Sequence, residues 1–77
     1  DGGTGDVGDL VANGVLAEIY FKMEKPHEAA FFMEQLIKDI KKEDDMYYWA
    51  ASHLTHAEIL LKLGRTEKAF QEIITVE

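Results

Sequence analysis

The sequence predicts an all-α fold built from antiparallel helix hairpins, and three observations carry that prediction. First, Ala17-Glu18-Ile19-Tyr20-Phe21-Lys22-Met23 returns forty positions later as Ala57-Glu58-Ile59-Leu60-Leu61-Lys62-Leu63. Second, each copy runs into a short break followed by a small residue, Ala29 or Ala69. Third, apolar residues recur at the helical period, without the strict alternation of a half-buried strand. An internal repeat with a period of roughly 20 to 50 residues marks solenoid-like arrays, in which each unit buries its apolar face against its neighbours.

The elements follow in order. Residues 1–8 hold four of the six glycines and no periodic apolar pattern, so they are expected to be a flexible tail or cloning remnant. Asp9 is a candidate N-cap, and Ala12, Leu16, Ile19, Tyr20 and Met23 then trace one face of a first helix ending near Met23. Glu24-Lys25 is the break. Pro26 suits a first helical turn, where its missing N–H leaves nothing unpaired, so a second helix is expected from there. Its stripe is Ala29, Phe32, Met33, Leu36, Ile37 and Ile40, with Lys38, Lys41 and Lys42 near its negative C-terminal end.

The acidic turn Glu43-Asp44-Asp45 can cap a third helix, expected to be the longest. That helix carries Met46, Trp49, Ala50, Ala57, Leu60, Leu61 and Leu63 before Gly64 closes it. Thr66 reads as the N-cap of a fourth helix striped by Ala69, Phe70, Ile73 and Ile74. Short loops between the four helices imply antiparallel neighbours. The domain therefore runs over 9–77, with repeat one at about 9–42 and repeat two at about 46–77.

Composition narrows the class of function. Seventy-seven residues are near the size at which one core supplies only about 3–5 kcal/mol, and with no cysteine there is neither a disulfide framework nor a thiolate metal site. The setting is expected to be cytoplasmic or otherwise intracellular. A net charge of −7 disfavours nucleic acid and anionic membranes and favours a basic or neutral protein partner. No apolar run approaches the roughly 20 residues that span a bilayer, and no signal-peptide pattern opens the chain. The chain starts without Met and stops at Glu77 inside an amphipathic pattern, which reads as a piece of a larger protein.

Laid side by side, Leu16 to Ile37 and His56 to Val76 resemble the tetratricopeptide repeat (TPR), a helix-turn-helix unit of about 34 residues. The small residue on helix A matches Ala17 and Ala57, the large one further on Tyr20 and Leu60, the turn residue Glu24 and Gly64, and the small residue on helix B Ala29 and Ala69. The departures are equally concrete. The family's early tryptophan falls on Asn13 and His53, its core leucine becomes His56 in copy two, and no proline closes the first repeat. The spacing of forty implies about six extra residues in helix B of copy one or in the helix after it.

The resemblance implies a right-handed superhelix whose concave face, lined mainly by A helices, holds a segment of another protein. Its lining positions map onto Val11, Gly14, Glu18, Phe21 and Lys22, and onto Ala51, Leu54, Glu58, Leu61 and Lys62. The protein-binding candidates are Glu18, Phe21, Lys22, Leu54, Glu58, Leu61 and Lys62. In each copy an apolar residue is thereby expected to stand exposed between charges. The simpler reading makes Glu18–Lys22 and Glu58–Lys62 intrahelical ion pairs of about 0.2–0.5 kcal/mol and packs Phe21 on an adjacent repeat. Relatives that grip a C-terminal carboxylate use Asn where both copies here have Glu, so that specialised activity is not implied.

Other constellations are weaker. Gly3-Thr4-Gly5-Asp6-Val7-Gly8 spells a dinucleotide fingerprint without the strand and βαβ unit its chemistry needs. His53 and His56 lie three apart on one helix, with Glu58 and His27 as the nearest other metal or acid–base candidates; the plainer expectation is semi-buried core histidines with local hydrogen bonds. A milder functional version makes them a pH-dependent interface. Met46-Tyr47-Tyr48-Trp49 is expected to pack alternate members under the connection after Ile40, against a second reading as an aromatic anchor for a partner. Nothing supports an enzyme or a cofactor. The expected role is a protein–protein scaffolding module, and the competing one is self-association into a homo-oligomer through Phe70, Ile73 and Ile74, a stripe with no capping helix after it.

Overall fold

The computed structural model describes the backbone from Val7 to Glu77 and side chains from Asp9 onward. Among the described residues it is all-α, with four helices: α1 (Val7–Lys22), α2 (Pro26–Asp39), α3 (Met46–Lys62) and α4 (Thr66–Val76). None is long and apolar enough to cross a membrane. Each helix packs on the next in the chain, giving a hairpin of α1 with α2, a hairpin of α3 with α4, and an interface between α2 and α3. The glycine-rich tail lies outside the described residues up to Asp6, but Val7 and Gly8 belong to α1, so the helix opens two residues before Asp9. Asp9 is then a first-turn residue rather than the cap, where its charge still suits the helix dipole.

The repeat is legible in the hydrogen bonds. At the end of α1, Lys25 N–H donates to Tyr20 O at 2.9 Å and Glu24 N–H to Phe21 O at 3.0 Å. At the end of α3, Arg65 N–H donates to Leu60 O at 2.9 Å and Gly64 N–H to Leu61 O at 3.0 Å. Both are Schellman closures, and both require a left-handed residue after the cap, which here is Glu24 (φ 62°) or Gly64 (φ 79°). The residue that ends each closure also starts the next helix: Lys25 O accepts from Ala29 N–H and Arg65 O from Ala69 N–H. That double use displaces the expected cap on α4. Arg65 holds the N-cap position with no side-chain bond, and Thr66 is the first helical residue. The acidic turn behaves as expected, since Asp45 Oδ1 accepts from Tyr48 N–H at 3.0 Å.

The main cluster of buried side chains comprises Ala17, Ala29, Ala30, Met33, Leu36, Ile40 and Ile59, and a smaller one, Ala57, Leu60 and Ala69, sits inside the second hairpin. The expected α2 stripe faces these contacts throughout. α2 stops at Asp39 because Ile40 turns extended (ψ 138°) and drops its side chain into the core, so Lys41 and Lys42 lie beyond the helix. The extra length of the repeat is thus not in α2. α3, at 17 residues, is the longest helix, and the connection 40–45 precedes it.

The α1 stripe is corrected. Of its five positions only Tyr20 packs against the core; Ala12, Leu16, Ile19 and Met23 are exposed, and α1 turns Leu10, Ala17 and Phe21 inward together with Tyr20. α1 is apolar nearly all round, so periodicity could not choose its buried side. In α3, Met46 and Leu61 are exposed, while Ile59 is fully buried. Tyr48 and Trp49, neighbours rather than alternate members of the aromatic run, pack against the core, and Met46 and Tyr47 stand outside.

Candidate protein-binding interface

The Tyr48 side chain in the first turn of α3 reaches the middle of α1, where a Cβ on Gly14 would sit 3.0 Å from Tyr48 Oη. A groove of about 270 Å³ opens between the two helices, walled by Val11, Gly14 and Glu18 on one side and Ala51 on the other, with Met33 and Leu36 of α2 among its lining. Four of the ten expected lining positions therefore share one depression. At the opposite ends of the same helices Phe21, Lys22 and Lys62 border a second one, together with Glu24 and Pro26. Leu54, Glu58 and Leu61 stand exposed on α3 outside both.

The charges on this face are not paired within their helices. Among the described residues, the ion pairs within 4 Å all involve histidine, and none joins Glu18 to Lys22 or Glu58 to Lys62. The expectation of an exposed apolar residue between charges holds for Leu61, which is 53% exposed, and fails for Phe21, which is half-buried and packs against the main core. Phe21 lies on the same side of α1 as Ala17 and Leu10, four and eleven positions earlier, and that side meets α2.

The histidines form a separate, inner feature. His53 Nδ1 hydrogen-bonds Glu72 Oε1; His56 Nδ1 lies 3.2 Å from Glu72 Oε2, and His56 Nε2 lies 3.6 Å from Glu34 Oε2. Both histidines are buried, but the bond to His53 spans two helices rather than being local, and the approaches to His56 lack hydrogen-bond geometry, leaving both its ring nitrogens unpaired. The carboxylates beside the two histidines are those of Glu72 and Glu34; Glu58 and His27, the other metal or acid–base candidates, are exposed. Among the described residues no three His, Asp or Glu side chains are placed to hold a metal ion.

Repeat position explains the network. Glu72 is the forty-residue counterpart of Phe32, which stacks on Tyr20 of α1 at 5.5 Å in the first hairpin. In the second hairpin Tyr20 becomes Leu60, and the carboxylate that replaces Phe32 is met by His53 and His56, counterparts of Asn13 and Leu16. The position of Glu72 in the repeat was the available signal. Trp49 packs on the His53 ring at 4.9 Å and carries Lys42 Nζ at 5.2 Å from its centroid, closing this region from the connection side. No protein-family model, curated protein or solved structure matches this chain.

Proposed function

We propose that the chain is a non-enzymatic, intracellular protein-interaction module of two TPR-like hairpins, holding a segment of another protein along the face formed by α1 and α3. The groove between those helices, with Glu18 on its wall, is the observation that carries the reading. Leu54 and Leu61 offer exposed apolar contacts on α3, and Glu18 and Glu58 offer carboxylates that no lysine on the same helix neutralises. Such a face suits an extended or helical peptide carrying basic residues around an apolar anchor, with charge steering the encounter and the apolar contact holding it. The coincidence of the two turns, hydrogen bond for hydrogen bond, supports the tandem-hairpin reading.

The test is a peptide array varying Lys/Arg and Leu/Phe content, probed with the wild-type chain, Glu18→Lys/Glu58→Lys and Leu54→Ala/Leu61→Ala. Basic peptides with an apolar anchor should be retained by the wild type and lost by both variants. An unchanged array pattern in the charge-reversed variant would remove the reading.

A further inference from the structure

The forty-residue offset that relates the two turns also relates two helix faces with opposite surroundings. α3 meets the first hairpin through Ser52, His56, Ile59 and Leu63: Ser52 is buried and lines the same groove as Met33 and Leu36, His56 reaches Glu34, and Ile59 and Leu63 join the main core. Their counterparts forty positions earlier are Ala12, Leu16, Ile19 and Met23 on α1, all exposed, Ile19 by 47% and Met23 by 52%. On the facing helix, Glu34 of α2 reaches α3, and Ala30, one turn before it, is buried. Forty positions later these become Phe70 and Ile74 on α4, exposed by 64% and 52%. Both halves of the α2–α3 interface are thus repeated, uncovered, on the first and last helices.

We propose that these two faces dock on one another between copies of this chain, α4 of one protomer covering α1 of the next as α2 covers α3. The side chains at the two ends have changed together. Where the internal interface sets Glu34 beside His56, the terminal faces set Ile74 opposite Leu16, and the small Ala30 is replaced by the bulky Phe70 opposite the same stripe. A polar contact has become an apolar one on both sides at once, which fits the two faces to each other. Because each helix packs on the next, α1 and α4 lie at opposite ends of the row, so one copy cannot offer both faces to the same partner; the contact is heterologous and copies stack head to tail. A charge of −7 on every copy opposes that stacking, so salt should extend it.

This inference concerns the end helices and stands apart from the α1/α3 groove. Sedimentation velocity across the micromolar range, at low and raised salt, reads it directly in the wild-type chain, Ile19→Glu and Phe70→Glu. The wild type should sediment faster as concentration and salt rise. Each variant alone should stay monomeric, because each has lost one end. An equimolar mixture of the two should form a dimer and nothing larger, since each supplies the end the other lacks. The proposal is overturned by a wild type that stays monomeric throughout, by association of Ile19→Glu alone, which would place α4 against α4, or by a mixture that remains monomeric. Both sites are exposed, and circular dichroism of each variant confirms the fold; if either glutamate unfolds the chain, Ile19→Ser and Phe70→Ser give the same four readouts.

Discussion

Glu24 and Gly64 occupy the same position of two hydrogen-bond-matched turns, and only one of them is the residue that position favours. At φ 62° the Cβ of Glu24 crowds its own backbone, a cost of roughly 1–2 kcal/mol for an L residue in the left-handed region. Glycine escapes that cost and gives back part of it as the larger entropy of the unfolded chain, leaving a net gain of about 1 kcal/mol for Glu24→Gly. Glu24 is exposed and makes no ion pair within 4 Å among the described residues, so no lost contact there offsets the gain. The reciprocal change has an equally clean reading: a Cβ on Gly64 would meet nothing within 4 Å, so Gly64→Ala registers backbone strain alone, about 1 kcal/mol of destabilisation. For a domain of this size either change shifts Tm by roughly 4–8 °C. Thermal and urea unfolding followed at 222 nm would measure both. A Glu24→Gly variant that melts at or below the wild-type temperature would refute the reasoning, because it would mean that the left-handed geometry is not what limits that turn.

The fully buried Ile59 and its exposed counterpart Ile19 supply an internal control: Ile59→Ala should cost about 2–5 kcal/mol, enough to unfold most of a chain this small, whereas Ile19→Ala should stay within about 0.5 kcal/mol in urea titrations. Asp45→Ala removes the side-chain cap on α3 and should cost about 0.5–2 kcal/mol, with Asp45→Asn recovering most of it in the same assay. Glu72→Ala strips His53 of its hydrogen bond and leaves both buried histidines without their shared carboxylate, so a loss of about 1–3 kcal/mol is expected in calorimetry. Leu61→Ala, at an exposed site on the proposed binding face, should leave Tm within about 2 °C while weakening peptide capture.

How far the sequence reached depends on how amphipathic each helix is. In α2 the apolar residues occupy one side, and the stripe from Ala29 to Ile40 was read correctly because only one orientation buries it. In α1 apolar residues stand on every side, so of the stripe chosen by spacing, Ala12, Leu16, Ile19, Tyr20 and Met23, all but Tyr20 proved to be uncovered. Phe21, expected from the family resemblance to stand exposed, is half-buried and packs against the main core while also bordering a surface depression. Glu18, Lys22, Glu58 and Lys62 were placed correctly on the outside, since charged side chains leave little choice. The histidines were legible as core residues, but their carboxylate was not, because Glu72 lies nineteen positions from His53 and meets it only when α4 folds back on α3.

By itself the sequence determined the number of helices, the turn that closes α1 and α3, the cap at Asp45 and the repeat that binds these together. The turns and the cap are matters of local backbone geometry, complete within about one helical turn, and the helices and their repeat follow from residue spacing along the chain. Tertiary structure decided which side of an all-round apolar helix is covered, which carboxylate meets two buried histidines, and that repeat-equivalent faces are buried between α2 and α3 yet open on α1 and α4. Burial is a property of neighbours, and the same residue pattern is core or surface according to whether another helix lies against it.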